Sequence, residues 1–91
     1  MAEAVLSVRV TGRVQGVWYR GWTQRTATAL GVSGWVRNEA DGSVTALVGG
    51  TQSAVDAMLA AMRQGPGPAR VETVETQPSE EAPGDGFRVL R

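Results

Sequence analysis

Nine residues, Gly12-Arg13-Val14-Gln15-Gly16-Val17-Trp18-Tyr19-Arg20, put two glycines, two aromatics and two arginines at one junction in a chain of 91 residues. Before them "VLSVRV" alternates apolar and polar residues; after them "GWTQRTATALG" does not. Glycines at such a place let the backbone curl tightly with its N–H groups pointing inward. If a helix opens directly after the curl, its first N–H groups are unpaired and its dipole adds partial positive charge. Together these favour an anion, and phosphate is the common one. Arg20 then falls in the first helical turn, where its planar fork can grip two oxygens of one anion. A cation at a helix N-terminus is otherwise unfavourable, so an intervening anion would account for it. The competing reading is a common Gly-x-x-x-Gly turn beside a solvated arginine, and spacing alone leaves both open. Arg13 and Arg25 read as surface charges.

The rest of the composition limits the chemistry. His and Cys are absent, and all nine basic residues are arginines. Zinc held by His or Cys is excluded, as is a His-based triad. Schiff-base chemistry and the lysine of a Walker A loop are excluded too. Without Cys there are no disulfides, which is compatible with a reducing compartment. Formal net charge is +0 and the pI about 6.2, whereas a general nucleic-acid binder is usually basic. The N-terminal "MAEAVLSVRV" carries Glu3 and lacks the basic and apolar regions of a signal peptide. No segment approaches the roughly 20 apolar residues that span a bilayer. The expected location is cytoplasmic, with no membrane partner, and nothing indicates an obligate oligomer, so a monomer is expected.

The elements that must position the junction follow from periodicity. Leu6, Val8 and Val10 share one parity, which predicts a strand with one buried face. From Tyr19, the spacing of Tyr19, Thr23, Thr26 or Ala27, and Leu30 predicts a helix ending at Gly31. "VSGWVRN" at 32–38 reads as a second strand, Asp41-Gly42 as a hairpin turn, and "SVTALVG" as a third strand with Val44, Ala46 and Val48 on one face. Val55, Met58, Leu59 and Met62 mark a second helix by their i, i+3, i+4, i+7 spacing. Thr51 or Ser53 can cap it, Asp56 is expected in its first turn, and Gly65 can end it. "ARVETVET" predicts a fourth strand in which Val71 and Val74 break alternation, as a bulge would explain. "FRVL" at 87–90 is a short fifth strand.

The order is βαββαβ plus a short C-terminal strand. With 42% hydrophobic residues, a single domain over 1–91 with one core is expected. One-sided strands and two amphipathic helices imply an α+β, two-layer ferredoxin-like sandwich, an antiparallel sheet with both helices on one face. That fold hosts many unrelated functions, so function must come from the site.

"GRVQGVWYR" followed by "GWVRNEADGSV" closely resembles the acylphosphatase family. The family's first motif, Gly-[Arg/Lys]-Val-Gln-Gly-Val-x-[Phe/Tyr]-Arg, is matched throughout residues 12–20. Its second is matched by Gly34, Trp35, Val36, Asn38, Gly42 and Val44. "LG" at 30–31, "GP…ARV" at 65–71 and the closing Phe-x-Val are also similar, so the resemblance covers nearly the whole chain. It implies hydrolysis of the carboxyl–phosphate bond of acyl phosphates, without metal or cofactor, giving a carboxylate and inorganic phosphate. Carried over by position, the backbone around Gln15, Gly16, Val17, Trp18 and Tyr19 cradles the phosphoryl group, Arg20 is the essential arginine, and Asn38 orients the attacking water.

The residue inventory is consistent with that implication. The leaving group is a carboxylate, so no strong general acid is needed. Phosphoryl transfer asks the protein chiefly for positioning and charge stabilisation. An in-line water needs a neutral group that both donates and accepts, as Asn does. A carboxylate there would repel the phosphate. Apart from the motif, Asn38 before a hairpin reads as a turn residue bonded to its own backbone. Gln15 is expected to act through its main chain, and Tyr19 to be a core residue with a dispensable hydroxyl. Trp18, Trp22 and Trp35 read as packing or rim groups, with Trp18 a candidate for shaping the acyl-group mouth. The terminal carboxylate of Arg91 could pair with Arg20 or another arginine. Two alternatives remain: an acylphosphatase-like module of a larger maturation enzyme that handles carbamoyl phosphate, and a non-catalytic ferredoxin-like binding domain, for RNA for example. The length and the starting Met favour a free-standing enzyme over the first. The missing aromatics on the third strand and the neutral charge disfavour the second.

Overall fold

The computed structural model describes residues 3–91; Met1 and Ala2, the start of the N-terminal stretch read above, lie outside them. The chain runs β1 (Ala4–Arg13), α1 (Tyr19–Leu30), β2 (Ser33–Asn38), β3 (Val44–Gly50), α2 (Gln52–Gln64), β4 (Arg70–Pro78) and β5 (Phe87–Val89). Five strands form one sheet in the order β4-β1-β3-β2-β5. This is the expected α+β ferredoxin-like fold.

The alternation of β1 does what it predicts. Val8 and Val10 are buried, and they meet Ala46 and Val44 of β3 in an antiparallel register. Onto this face α1 turns Tyr19, Thr23 and Ala27, and α2 turns Val55, Met58, Leu59 and Met62, all buried. Thr51 Oγ1 accepts from Ala54 N at 3.1 Å and caps α2. Asp56 does not stand in the first turn: the helix begins at Gln52, which places Asp56 one turn further in, accepting from Gln52 Nε2 at 2.9 Å.

The expected bulge in β4 is present. Thr11 faces Thr73 but Gly12 faces Val71, so Glu72 is the extra residue. The shift brings both Val71 and Val74 against the core. Gly12 sits at the register break with φ 120, and a Cβ there would lie 2.1 Å from the Arg70 carbonyl oxygen. Only glycine allows the end of β1 to approach β4 this closely.

One pairing departs from the antiparallel expectation: β5 is parallel to β2. The cause is the path of the chain. β4 lies at one edge of the sheet and ends beside Leu6, at the end from which β2 sets out. The turn-rich residues 79–86 then cross to the other edge, so β5 enters in the direction of β2. Gly34 N donates to Gly86 O at 3.0 Å and Leu90 N to Val36 O at 2.8 Å, at the two ends of this pairing.

Candidate active site

The junction that opened the sequence lies between β1 and α1, as expected. Val14 is buried and anchors the loop; Gly16 and Trp18 are exposed. Gly16 has φ 73 and Trp18 φ 67, and Trp18 is the one non-glycine residue at positive φ among the described residues. Alternating left-handed residues curl a backbone so that its N–H groups face one concave side. Trp18 is also the N-cap of α1, where it supplies no side-chain cap, and no acidic residue stands in the first turn. The first helical bond runs from Trp22 N to Trp18 O at 3.0 Å, which leaves the N–H groups of residues 19–21 outside the helical ladder. This is an electropositive corner built from backbone.

Arg20 adds its charge to this corner. It is half-buried, and its Nη1 donates to the Leu90 carbonyl at 3.2 Å. No carboxylate pairs with it among the described residues, and the terminal carboxylate of Arg91 forms no ion pair with any arginine there. The guanidinium is therefore anchored by one neutral contact and keeps donors for an anion.

Asn38 closes β2, paired with Val44. Its Oδ1 is buried and has no hydrogen-bond partner. A buried acceptor without a partner is rare and asks for a donor. The turn reading of Asn38 does not hold, because other groups build the turn. Glu39 N donates to Ser43 O at 2.8 Å, and Asp41 Oδ1 accepts from Ser43 N at 2.9 Å and from Ser43 Oγ at 2.6 Å. Those bonds to Ser43, together with Arg9, hold the Asp41 carboxyl well below the usual carboxylate range. Glu39 is lowered as well, by bonds from Arg37 and Thr45.

Gln15 does more than the sequence suggested. Its side-chain Nε2 donates to Glu39 O and Ser43 O, each at 2.8 Å, tying the loop to the turn that follows Asn38. Arg20 reaches the same strand from the other side, since Leu90 bonds to Val36. Asn38 is thus bracketed by links to residues 36 and 39. The two links bring the loop, Arg20 and the strand carrying Asn38 into one constellation. No sequence signal marked the Gln15 side-chain contact, because its partners are main-chain groups.

The aromatics sort themselves by contact. Tyr19 is a core residue, as expected, but its hydroxyl is engaged: it donates to Met62 O at 2.7 Å, and burial pushes the phenol up. Trp22 packs on Tyr19 with ring centroids 5.4 Å apart. Trp35 Nε1 donates to Glu81 Oε2 at 2.9 Å, and Arg37 lies 4.8 Å from its ring. Trp18 is 58% exposed. Its indole lies back across Gly21, where a Cβ would come within 2.3 Å of Nε1, and Arg25 stands 5.7 Å from the ring. Arg25 is exposed, as expected of a surface charge, with its guanidinium set over this ring. The indole borders a shallow apolar groove with Trp22, Ala29, Leu30 and Ala61, on the flank of α1 away from Arg20. Arg13 is exposed, as expected.

Among the described residues no group of three or more His, Cys, Asp or Glu side chains gathers to hold a metal ion. No helix there is long and apolar enough to cross a membrane.

Known proteins share this fold and much of this sequence. An acylphosphatase family model matches residues 6–89. The acylphosphatase of Rhodospirillum rubrum is 55% identical over 82 residues, 90% of each chain. The solved structure of an acylphosphatase from Coxiella burnetii superposes with a TM-score of 0.92 at 29% identity, covering 98% of this chain and 94% of that one. Full-length HypF, solved in a phosphate- and nucleotide-bound form, shares the fold over 97% of this chain and 12% of its own, with a TM-score of 0.84 at 16% identity. From the first strand to the last, the chain belongs to the acylphosphatase family.

Proposed function

We propose that the protein hydrolyses acyl phosphates by metal-independent, in-line attack of water on phosphorus. The family and the fold support acyl phosphate hydrolysis. In our reading the N–H groups of the 15–20 loop and the first turn of α1 receive the phosphoryl oxygens. Arg20 grips two of them and meets charge as it spreads in a loose transition state. Asn38 orients the water through its side-chain amide. The water oxygen forms a bond to phosphorus while the bond to the acyl oxygen breaks, and that electron pair leaves with the carboxylate. The water proton passes to a phosphate oxygen, so no ionisable base is needed. One copy carries every group this requires, and residues 1–91 would act as one domain.

The observation that carries the reading is the uncapped, acid-free start of α1, with Arg20 held only by a neutral carbonyl and the loop tied through Gln15 to the turn after Asn38. The test is release of inorganic phosphate from acetyl phosphate and benzoyl phosphate with EDTA present. We expect full activity in the chelator and competitive inhibition by inorganic phosphate. Activity that disappears in EDTA and returns with Mg²⁺ or Zn²⁺ would overturn the mechanism.

A further inference from the structure

The family reading uses the main chain of Gln15, yet the side chain makes the most specific long-range contact at the site. Its single amide nitrogen satisfies two carbonyls, those of Glu39 and Ser43, both at 2.8 Å. These carbonyls stand at the two ends of the β2–β3 turn, and Ser43 O also accepts from Glu39 N at 2.8 Å. The amide therefore staples the turn closed and fastens it to the phosphate loop in one contact. Asn38 immediately precedes Glu39. Its Oδ1 is buried without a hydrogen-bond partner, so the side chain is placed by packing and by its backbone. That backbone is held on one side by pairing with Val44 and on the other by the staple.

We propose that the Gln15 side chain is a positioning residue: through Glu39 and Ser43 it sets the distance between the phosphate loop and Asn38. The loop presents phosphorus and Asn38 presents water, so this distance decides whether attack is in line. A displacement of about 1 Å at such a point can cost on the order of 10² in rate. The inference rests on the reading of Asn38 as the residue that orients water. It assigns Gln15 no contact with the reacting atoms through its side chain. Both amide hydrogens are consumed by the turn, so the side chain has no donor left for phosphate.

Leucine at position 15 would keep the bulk and remove both donors. In Gln15→Leu we expect kcat to fall roughly 10–100-fold with phosphate affinity changed less than about threefold, since the loop N–H groups remain. The double variant Gln15→Leu/Asn38→Ala should be no slower than Asn38→Ala alone, because a residue acting through another contributes nothing once that one is gone. Additive losses in the double variant, or wild-type kcat in a folded Gln15→Leu protein, would overturn the proposal. A phosphate affinity that falls as steeply as kcat would overturn it too, since the side chain would then serve binding.

Gln15→Glu supplies a second readout that does not depend on Gln15→Leu folding. An ionised carboxylate would face two carbonyl oxygens as an acceptor, whereas its protonated form can donate to one. Partial burial and those carbonyls raise the carboxyl pKa. Relative to wild type on the same substrate, the variant's kcat should therefore recover as pH falls from neutral into the acid range where that carboxyl protonates. The charged groups on the turn do not titrate in that window. Glu39 is paired with Arg37 and Asp41 with Arg9, and both carboxyls are lowered; Arg13 and Arg20 are the cationic groups on the loop side. A Gln15→Glu profile parallel to wild type would sink the proposal. If Asn38→Ala instead turned over like wild type, the mechanism itself would fall, an outcome separate from either Gln15 result.

Discussion

Arg20 and Leu90, 70 positions apart in the chain, are joined by one hydrogen bond, Nη1 to the carbonyl oxygen at 3.2 Å. The bond holds the arginine of the first helical turn with a neutral acceptor. A carboxylate in that place would compete with substrate for the guanidinium. The neutral anchor restrains the side chain and leaves its charge uncompensated. Leu90 is fixed in turn by its own N–H on Val36.

Arg20→Ala should accordingly lower kcat by roughly 10²–10³, the usual cost of removing one placed electrostatic contact from a transition state. Arg20→Lys should recover little of it, because a point charge on a flexible stem cannot bond Leu90 and bind two phosphoryl oxygens as the fork does. Arg13→Ala serves as the control: Arg13 is exposed, and its loss should change kcat less than about threefold. Steady-state kinetics of the three proteins check this. Equal losses at positions 13 and 20 would mean that bulk charge matters and placement does not.

Tyr19→Phe separates structure from catalysis at a residue inside the motif. Met62 lies in the last turn of α2, where carbonyls have no intrahelical partner, and the Tyr19 hydroxyl supplies one. Deleting it leaves that carbonyl without its bond at a buried place, a loss of about 1–3 kcal/mol. Denaturant titration should show that loss, while kcat per folded molecule stays at the wild-type value. A large fall in kcat with unchanged stability would put the hydroxyl in the mechanism.

Asp41 gives a pH signature in stability. Its carboxyl is held below its ordinary value of 3.8, first by the two Ser43 bonds and then by Arg9. A group whose pKa is depressed on folding contributes stability above its unfolded pKa, and that contribution is lost as pH falls through the folded value. Asp41→Ala should therefore lower the Tm near neutral pH, with the gap to wild type narrowing progressively below about pH 4. A gap of constant size from pH 7 to pH 2 would mean that ionisation of Asp41 contributes nothing.

Local features were legible in the sequence, and contacts between distant segments were not. Tyr19 to Leu30 could be read as a helix because period and the closing Gly31 lie within one stretch. The β4 bulge could be read because Val71 and Val74 violate alternation within four residues. Val44, Ala46 and Val48 announced their face. The parallel entry of β5 depends on where residues 79–86 cross the sheet, which no local pattern encodes. Leu47 is buried on the face opposite the helices, beside Trp35, and alternation alone had left that face to solvent. At the site, the glycines of the junction and Arg20 suggested an anion corner from residue types, and Gln15 entered only through the family resemblance. The Gln15 staple and the Tyr19–Met62 bond end on main-chain carbonyls, which are the same at every residue and leave no mark on the partner's identity. Asn38 became a candidate through family resemblance alone, since its chemistry appears only when its strand is seen beside the loop.

Asn38 offers the sharpest division between holding the fold and doing chemistry. The β2–β3 turn is built by Asp41, Ser43, Glu39 and Gln15, and Asn38 Oδ1 takes no part in it. Asn38→Ala removes a buried acceptor that has no partner, so the variant should be as stable as wild type or slightly more so. It should also bind inorganic phosphate as wild type does, since the 15–20 loop and Arg20 are untouched. Its kcat should nevertheless fall by roughly 10² or more with KM little changed, the pattern of an interaction made mainly in the transition state. Asn38→Asp should not restore turnover near neutral pH, because its charge repels the phosphoryl oxygens and it lacks the amide donor. Melting temperature, phosphate affinity and kcat measured on one preparation of each variant decide the matter. A folded, phosphate-binding Asn38→Ala protein with wild-type kcat would remove Asn38 from the mechanism and leave the loop and Arg20 to account for catalysis.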